Sequence, residues 1–378
     1  MPPKLVALLI LLGLTLSSLV PGDNLWPGRA NAQNAKSWLY LNAFQSQKLI
    51  AIDPVTGRVE STIEVDDLAG TLGAAVTSDG KTVLTVDGGS KSRLRMFNAA
   101  TRELIAEHAF DHRVLELGIG PVVHLTADDR RLLVKTYDYA AAAKGIRVFD
   151  VQNRRFLPVG LQERGCDDPS FASARDGSLV AVCRGFLTEL EPFRLNGLGE
   201  WIIKNVPTSI EIVADVALSS DGDILYILGE IDASGHFGVT DPWLLSRWTR
   251  GQPEASVHDV RAVLGFQGAV TDPRGRAISA MSTSPDGKAL AIVAGPHVWL
   301  LDSASLRVVG HWRESSSIDR PAFTPDGKEI LAMRHLGSGR SELIRISTVT
   351  RNITRVPLDH LGMNFIAGAA TFIVAPAP

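Results

Sequence analysis

The fold of this chain is decided by the stretch Pro285-Asp286-Gly287-Lys288-Ala289-Leu290-Ala291-Ile292-Val293. A proline presets the first corner of a turn, an aspartate caps its own turn, and a glycine tolerates positive φ. An Asp-Gly pair between apolar runs is a strong local signal for a β-hairpin. The stretch therefore predicts a tight turn that leads directly into a buried β-strand.

The same kind of turn recurs along the chain, at intervals near the roughly 40 to 50 residues that are typical of blade-like repeats. The other copies are Ser78-Asp79-Gly80-Lys81, Ala127-Asp128-Asp129-Arg130, Arg175-Asp176-Gly177-Ser178, Ser220-Asp221-Gly222-Asp223 and Pro325-Asp326-Gly327-Lys328. The interval between Gly222 and Gly287 is longer, and its additional residues are expected to form elongated loops. The recurrence indicates that one structural unit is repeated.

Each turn is predicted to join the first two of four short strands. After the turn at Gly80, residues 82–86 and 93–98 are mainly apolar, and residues 103–106 form a more polar fourth strand. Four strands per unit, with the most polar strand outermost, are typical of a β-propeller blade. A regular repeat of this kind argues against a pair of β-sandwiches.

The two ends of the chain predict one further blade. Residues 38–65 supply three strands without an inner one, and residues 364–374 can supply it. The prediction is an all-β, seven-bladed β-propeller of four-stranded blades, closed by N- and C-terminal strands in one blade, which leaves no open sheet edge. Six or eight blades are the alternatives. The predicted blades are 38–65 with 362–375, 71–112, 120–160, 167–208, 213–262, 278–313 and 318–357.

The N-terminal 32 residues are typical of a secretory signal peptide. Lys4 provides a positive charge, residues 5–20 are an almost unbroken apolar run, and Ala30-Asn31-Ala32 is a small-x-small cleavage motif. We expect a signal peptide at 1–32, a single propeller domain at 33–378, and a periplasmic or secreted protein. The alternative is an uncleaved anchor, although the apolar run is shorter than the roughly 20 residues that span a bilayer.

Composition narrows the choice of partner. The chain has 45% hydrophobic residues, 21% charged residues and a net charge of −3, so it can fill a large core but offers no basic surface for nucleic acid. After signal cleavage, no remaining segment is apolar enough to span a membrane. The expected partner is therefore a protein or a small ligand at one face of the propeller.

The two cysteines, Cys166 and Cys183, fit an oxidising compartment. They flank a predicted hairpin, residues 170–174 and 178–183, whose outer ends are expected to lie close together. We predict a disulfide between them, which would contribute roughly 3 kcal/mol in the chain-entropy account. The alternative is two buried, reduced thiols in neighbouring strands.

A second motif resembles a known repeat family. The stretch Ile52-Asp53-Pro54-Val55-Thr56-Gly57-Arg58-Val59 is similar to the turn between the third and fourth strands of YVTN-type propeller repeats, with looser copies at 97–102 and 149–154. The name-giving tetrapeptide is absent. Propellers similar to this one include exported surface proteins, heavy subunits of quinone-dependent amine dehydrogenases and lactonase-like enzymes. The resemblance implies architecture, and fold alone does not fix function.

Catalytic motifs are not found in the sequence. There is no nucleophile elbow, P-loop, dinucleotide fingerprint or zinc-spaced cluster of cysteine and histidine. His108 and His112 have a spacing that would need a helix to bring both rings to one face, and this segment is interpreted as an outer strand and turn. No catalytic residue and no cofactor are predicted.

The starts of the inner strands are the best candidate binding site. The alignment of the hairpins places five polar side chains there, or on an inner strand: His124, Asp168, Asp215, Asp319 and Arg320. Converging carboxylates could hold calcium, and the arginine could pair with an anionic ligand. The alternative is structural: the acids bond to backbone or to each other, and the histidine is a hydrogen-bonded core residue.

One aromatic group is a candidate partner contact. Trp243 follows Asp241-Pro242 in the blade with long loops, and His236 and Phe237 precede it. We expect these three aromatic residues to form an exposed contact. The other tryptophans in strands are interpreted as packing between blades.

Three functions follow from these patterns. The first is an exported, non-catalytic propeller that acts as a binding scaffold for a protein or a ligand. The second is a heavy-chain-like subunit of a quinone-dependent amine dehydrogenase or of another periplasmic redox complex, which rests on the family resemblance. The third is a metal-dependent, lactonase-like hydrolase, for which the sequence supplies no convincing acid and base.

Overall fold

The computed structural model describes most of the chain from Lys36 onwards, and Lys36–Pro378 form one compact unit. The described residues are 36–42, 47–64, 71–87, 92–110, 123–138, 143–161, 170–175, 177, 179–182, 210, 212–230, 243–252, 254–265, 280–337, 340–361 and 371–378. The expected signal peptide lies outside these ranges. Within them, no helix has the length and apolar character needed to cross a membrane.

Short β-strands make up most of the described chain. The strands of the first half are β1 (Ser37–Asn42), β2 (Lys48–Ile52), β3 (Val59–Glu64), β4 (Thr71–Val76), β5 (Thr82–Asp87), β6 (Arg93–Asn98), β7 (Leu104–Ala109), β8 (Val123–Leu125), β9 (Arg131–Asp138), β10 (Ala143–Asp150), β11 (Arg155–Leu161), β12 (Ser170–Ser173) and β13 (Leu179–Val182). Those of the second half are β14 (Ile212–Leu218), β15 (Ile224–Glu230), β16 (Trp243–Thr249), β17 (Ser256–Asp259), β18 (Ala280–Thr283), β19 (Ala289–Ala294), β20 (His297–Asp302), β21 (Val308–Arg313), β22 (Ile318–Phe323), β23 (Glu329–Gly337), β24 (Arg340–Ser347), β25 (Ile353–Pro357) and β26 (Thr371–Pro376). A short helix, α1 (Val260–Leu264), follows β17, and a 3₁₀ turn (Asp359–Leu361) follows β25.

The strands form a β-propeller of antiparallel sheets. The described four-stranded sheets are β26-β1-β2-β3, β4-β5-β6-β7, β8-β9-β10-β11, β14-β15-β16-β17, β18-β19-β20-β21 and β22-β23-β24-β25, and β12-β13 form a two-stranded sheet. Inner strands of neighbouring sheets contact each other in series: β26 with β4, β4 with β8, β12 with β14, β14 with β18, β18 with β22, and β22 with β26. Hydrogen bonds from His124 and Ala127 to the Ser173 hydroxyl connect β8 to β12. The predicted all-β propeller is therefore confirmed.

The first and last described strands pair as predicted. Six residue pairs join β1 to β26, from Ser37 opposite Pro376 to Asn42 opposite Thr371. The described part of the inner strand is Thr371–Pro376, and residues 362–370 lie outside the described part. Antiparallel pairing of the two chain ends therefore completes a four-stranded sheet.

The recurring turn is held by a hydroxyl group two residues before its aspartate. In the first copy, Thr77 Oγ1 donates to Asp79 Oδ1 at 2.7 Å, and Asp79 Oδ1 accepts from the Lys81 amide at 3.0 Å. Gly80 takes a φ of 73°, which a glycine adopts without strain. Equivalent hydroxyl-to-aspartate bonds occur at Thr126, Ser219, Ser284 and Thr324. The sequence interpretation recognised the aspartate and glycine but missed this hydroxyl position.

The hairpin between the cysteines has the predicted form. Ser170 lies opposite Val182, and Ser173 lies opposite Leu179, with Gly177 at a φ of 84° in the turn. Cys166 and Cys183 themselves lie outside the described residues. The disulfide between them stays a prediction.

The core lies between neighbouring sheets, because each sheet buries both of its faces. On β19, Leu290 and Ile292 pack towards the preceding sheet, and Ala291 and Val293 pack towards the following one. This is the period of two that alternating side chains of a strand produce. Continuous apolar strands such as β19 are therefore required by the propeller.

Gly80→Ala is expected to destabilise the protein by about 2–4 kcal/mol. A β-carbon at this position would overlap the carbonyl of Pro376 on the closing strand, and positive φ adds strain. The free energy of unfolding in urea measures the effect. Gly251→Ala is the matched control, because Gly251 also has positive φ but nothing lies within 4 Å of its β-carbon position. Equal losses in the two variants would contradict the predicted contact with Pro376.

Candidate functional site

Four polar side chains, here called the inner-strand cluster, lie on the inner strands β14 and β22 or beside them on β23. Asp215 lies on β14, Asp319 and Arg320 lie on β22, and His335 lies near the end of β23. Ile318 pairs with Arg334 and Asp319 with Met333, so antiparallel pairing brings the end of β23 to the start of β22. Strand pairing thus places His335 beside Asp319. The sequence interpretation did not include His335 among the candidate site residues.

Asp215 bridges two sheets. Its Oδ1 accepts a hydrogen bond from the Val216 amide at 2.8 Å, and its Oδ2 accepts one from the Met281 amide on β18 at 2.7 Å. Burial raises the pKa of Asp215 to about 6, although both amide bonds and the Arg320 charge act in the opposite direction. Because the charges of Arg320 and Asp319 both act on Asp215, the three side chains share one electrostatic environment.

Arg320 occupies a strained position on β22. Its φ is 53°, and the pairing with β23 shifts register between Asp319 and Ala322. A non-glycine residue in this region of φ costs of order 1–3 kcal/mol and is often found at functional sites. Pro321 follows it and restricts its backbone further. The register shift is that of a β-bulge, and bulges next to functional sites commonly re-aim a side chain.

The contacts of Arg320 are few. Its Nε lies 3.9 Å from Asp319 Oδ2, and its side chain is 29% exposed. Within the described ranges, no hydrogen bond from the guanidinium group is found, although the group has five N–H donors. The arginine therefore has donors available for a ligand.

Asp319 is held in its charged form. Its Oδ2 lies 3.9 Å from His335 Nε2 and 3.9 Å from Arg320 Nε. Burial acts to raise the pKa of Asp319, but contact with His335 and the charge of Arg320 outweigh burial and lower it. The cluster thus contains two carboxyl groups whose pKa values are shifted in opposite directions.

The predicted site residues are brought together in part. Asp215, Asp319 and Arg320 share one region, and Asp168 lies outside the described residues. Asp215 also makes the backbone bonds of the structural alternative. No group of three or more potential metal-binding side chains occurs in the described part of the chain.

His124 makes a side-chain hydrogen bond, as in the alternative in which it is a structural residue. Its Nε2 lies 2.9 Å from the Ser173 hydroxyl, and its ring contacts Phe171. Burial, with a smaller contribution from Lys135, lowers the pKa of His124 to about 4. A neutral imidazole therefore connects the inner strands β8 and β12.

Trp243 is buried, whereas the sequence analysis expected it to be exposed. The side chain is only 8% exposed and packs in a core cluster with Trp299, Val260 and Leu264. The expectation of an exposed contact at Trp243 is wrong, because the first residue of β16 faces the neighbouring sheet. His236 and Phe237 lie outside the described residues.

Asp215→Asn is expected to remove a pH dependence of stability. A folded pKa of about 6, above the ordinary 3.8, means that the folded chain loses stability from this carboxyl as pH rises from about 4 to above 6. Relative to wild type, the variant should therefore gain unfolding free energy between pH 4.5 and pH 7. Urea unfolding at both pH values measures the difference.

Asp319→Asn is the control for this measurement. The pKa of Asp319 is lowered, so its contribution to stability is lost only as pH falls below its ordinary value. This variant should show no comparable gain between pH 4.5 and pH 7. An Asp215→Asn variant that follows wild type at both pH values would contradict the assignment.

Comparisons with known proteins show a shared fold. No protein-family profile matches the chain, and no curated protein matches it. The crystal structure of a candidate 6-phosphogluconolactonase from Bacteroides fragilis matches with a TM-score of 0.55 and 17% identity. The match covers 88% of this chain and 98% of the other. A second, from Bacteroides uniformis, matches with a TM-score of 0.55 and 16% identity, over 85% and 98%. The dihydro-heme d1 dehydrogenase NirN matches with a TM-score of 0.52 and 13% identity, over 87% and 74%.

The chain shares its β-propeller fold with these proteins. At such identities the likeness shows the fold alone. The turn between β2 and β3 is tight: Asp53 Oδ1 accepts from the Val55 amide at 2.8 Å, and Gly57 has a φ of 72°. Equivalent positive φ values occur at Arg102, Arg154, Leu306 and Arg351, where glycine is replaced. The local turn therefore recurs without the strict repeat sequence.

Proposed function

We propose that this chain is an exported, non-catalytic, seven-bladed β-propeller that binds small hydroxylated organic anions at the inner-strand cluster. The observation that carries the proposal is Arg320, whose partly buried guanidinium group has available donors at a strained strand start. Arginine suits carboxylate and phosphate groups because its planar fork donates two parallel hydrogen bonds. Asp319, in its charged form, would accept hydrogen bonds from ligand hydroxyls.

The seven-bladed count is supported by the order of the inner strands. The two-stranded sheet β12-β13 stands between the sheets of β8 and β14 in the series of contacts. Counted as a blade, it completes a ring with the six four-stranded sheets. Export is supported by the charged, apolar and small-residue segments within residues 1–32.

Calorimetric titration tests the ligand class. Wild-type protein is titrated with gluconate, citrate and glucose 6-phosphate, and with glucose as the uncharged control. We expect at least one anion to bind and glucose not to bind. Arg320→Ala should abolish binding, and Arg320→Lys should weaken it, because lysine cannot form the bidentate contact.

Arg307→Ala is the matched control, since Arg307 is an exposed arginine outside the cluster. Its affinity for the anion should equal that of wild type. If no anion binds, or if Arg307→Ala and Arg320→Ala lose affinity equally, the proposed ligand site is wrong. Binding of a protein partner at the face would then be the remaining scaffold function.

A lactone hydrolase is the second candidate. The specific observation is the pair of carboxyl groups: Asp215, whose pKa is raised to about 6, and Asp319, whose pKa is lowered. Such a pair can supply a proton donor and a charged acceptor in one site. Two structural neighbours are described by their names as candidate 6-phosphogluconolactonases. Turnover of gluconolactone 6-phosphate that is lost in Asp215→Asn would favour hydrolysis over the scaffold function.

A further inference from the structure

Two histidines in the sheet β18-β19-β20-β21 lie side by side next to a tryptophan. His297 begins β20, His311 lies on β21, and Trp299 lies opposite His311 in the strand register. His297 Nδ1 and His311 Nε2 are 2.9 Å apart. Because residues two apart on a strand share a face, all three rings lie on the same side of the sheet.

The three rings are nearly parallel. The two imidazole centroids are 5.1 Å apart at an interplanar angle of 18°. His297 Nδ1 and His311 Nε2 are on the ring edges that face each other. The Trp299 ring is stacked 5.0 Å from His297 and 4.9 Å from His311. His297 is 8% exposed, whereas His311 is exposed. The indole thus forms an apolar floor beneath the pair, and water reaches the pair from the side of His311.

We propose that His297 and His311 bind a divalent transition-metal ion, with Cu²⁺ preferred and water completing the coordination shell. Cu²⁺ prefers a tetragonal arrangement, in which two adjacent ligand nitrogens at bonds of about 2.0 Å lie about 2.8 Å apart. The observed 2.9 Å between His297 Nδ1 and His311 Nε2 is close to that separation, and a bound ion would replace the hydrogen bond between the two rings. Imidazole suits copper, nickel and zinc, and copper has the highest affinity among these divalent ions.

The electrostatic state of the pair agrees with this role. Burial lowers the pKa of His297 to about 4, with smaller contributions from His311 and Arg313. Burial and Arg313 also lower the pKa of His311. A lowered pKa favours the uncharged imidazole, which is the form that binds metals. The Trp299 face would in addition attract a cation placed above it.

Titration of the tag-free mature chain with CuCl₂ tests this proposal. Tryptophan fluorescence should fall with a stoichiometry of one ion per chain, because Cu²⁺ would bind directly above Trp299. In His311→Gln the affinity should decrease by about tenfold or more. Cu²⁺ should also raise the melting temperature of wild type, since a ligand that binds only the folded state stabilises it.

His258→Gln is the matched control, because His258 lies on an outer strand and contacts Ser256. It should bind Cu²⁺ as wild type does. His311 is exposed, so its variant is expected to fold. Absence of saturable Cu²⁺ binding, or equal affinity in wild type and His311→Gln, would overturn the proposal.

Discussion

A chain that ends at residue 370 is expected not to fold, whereas a chain that ends at Pro376 is expected to fold. The residues removed in the first case are the whole of β26, which pairs with all six residues of β1. In the second case only Ala377 and Pro378 are lost, together with the bond from the Ala377 amide to the Lys36 carbonyl. The two truncations therefore separate the closing strand from the tail that follows it.

The expected effect is large because β26 covers buried surface on both sides. Leu39 and Leu41 are fully buried and share a cluster with Phe372 and Val374, while Ala375 packs in the cluster on the other face. Burial of each large apolar side chain contributes about 1.5–3 kcal/mol. Loss of several such contacts is comparable with the whole net stability of about 5–15 kcal/mol.

Circular dichroism and size-exclusion chromatography measure the outcome. The shorter chain should be aggregated or lack a cooperative unfolding transition, since β1 would become an open edge. A synthetic peptide of residues 371–378 should restore part of the transition by adding a strand in trans. A cooperative transition at the wild-type temperature in the shorter chain would contradict the role of β26 in closure.

Glu314→Ala is expected to destabilise the protein by about 3 kcal/mol, the lower end for a broken buried ion pair. The Glu314 side chain is 3% exposed, and its oxygens lie 2.6 Å from Arg355 Nη2 and 3.4 Å from Arg334 Nη1. Arg334 keeps Glu342 at 2.9 Å, and Arg355 is 46% exposed, so neither arginine is left wholly without a partner or water. These remaining contacts place the loss at the lower end.

Urea unfolding of Glu314→Ala and of a surface control measures this loss. Glu64→Ala breaks the pair with Lys48 Nζ at 3.1 Å, in which both side chains are more than half exposed. Exposed pairs contribute below about 1 kcal/mol. If Glu64→Ala and Glu314→Ala destabilise the protein equally, the ion pairs of Glu314 with Arg334 and Arg355 do not contribute more than an exposed pair.

Local chemistry explains which parts of the fold could be predicted. The turn at Gly80 uses bonds between residues two to five apart, so the local pattern of Asp79 and Gly80 predicts the turn even though the Thr77 hydroxyl was missed. Alternation along β19 follows from strand geometry in the same way. Closure by β26 was also predictable, because the first blade lacked an inner strand and an unpaired edge is unfavourable.

The candidate sites depended more on long-range packing. The inner-strand positions of Asp215 and Asp319 followed from the alignment of hairpins, but the bond between Asp215 and Met281 joins residues 66 apart. Trp243 was assigned to the surface because it follows a long loop, yet the register of β16 turns it into the core. Position in a loop-rich region did not decide exposure.

The sequence by itself determined the turns, the strand periodicity and the repeated unit, because these depend on neighbours along the chain. Only the tertiary structure decided that His297 and His311 face each other, and that His335 lies beside Asp319. Those contacts arise from strand register and from the packing of one sheet on the next. Their energy is distributed over many residues, so no short segment of the sequence contains the information that specifies them.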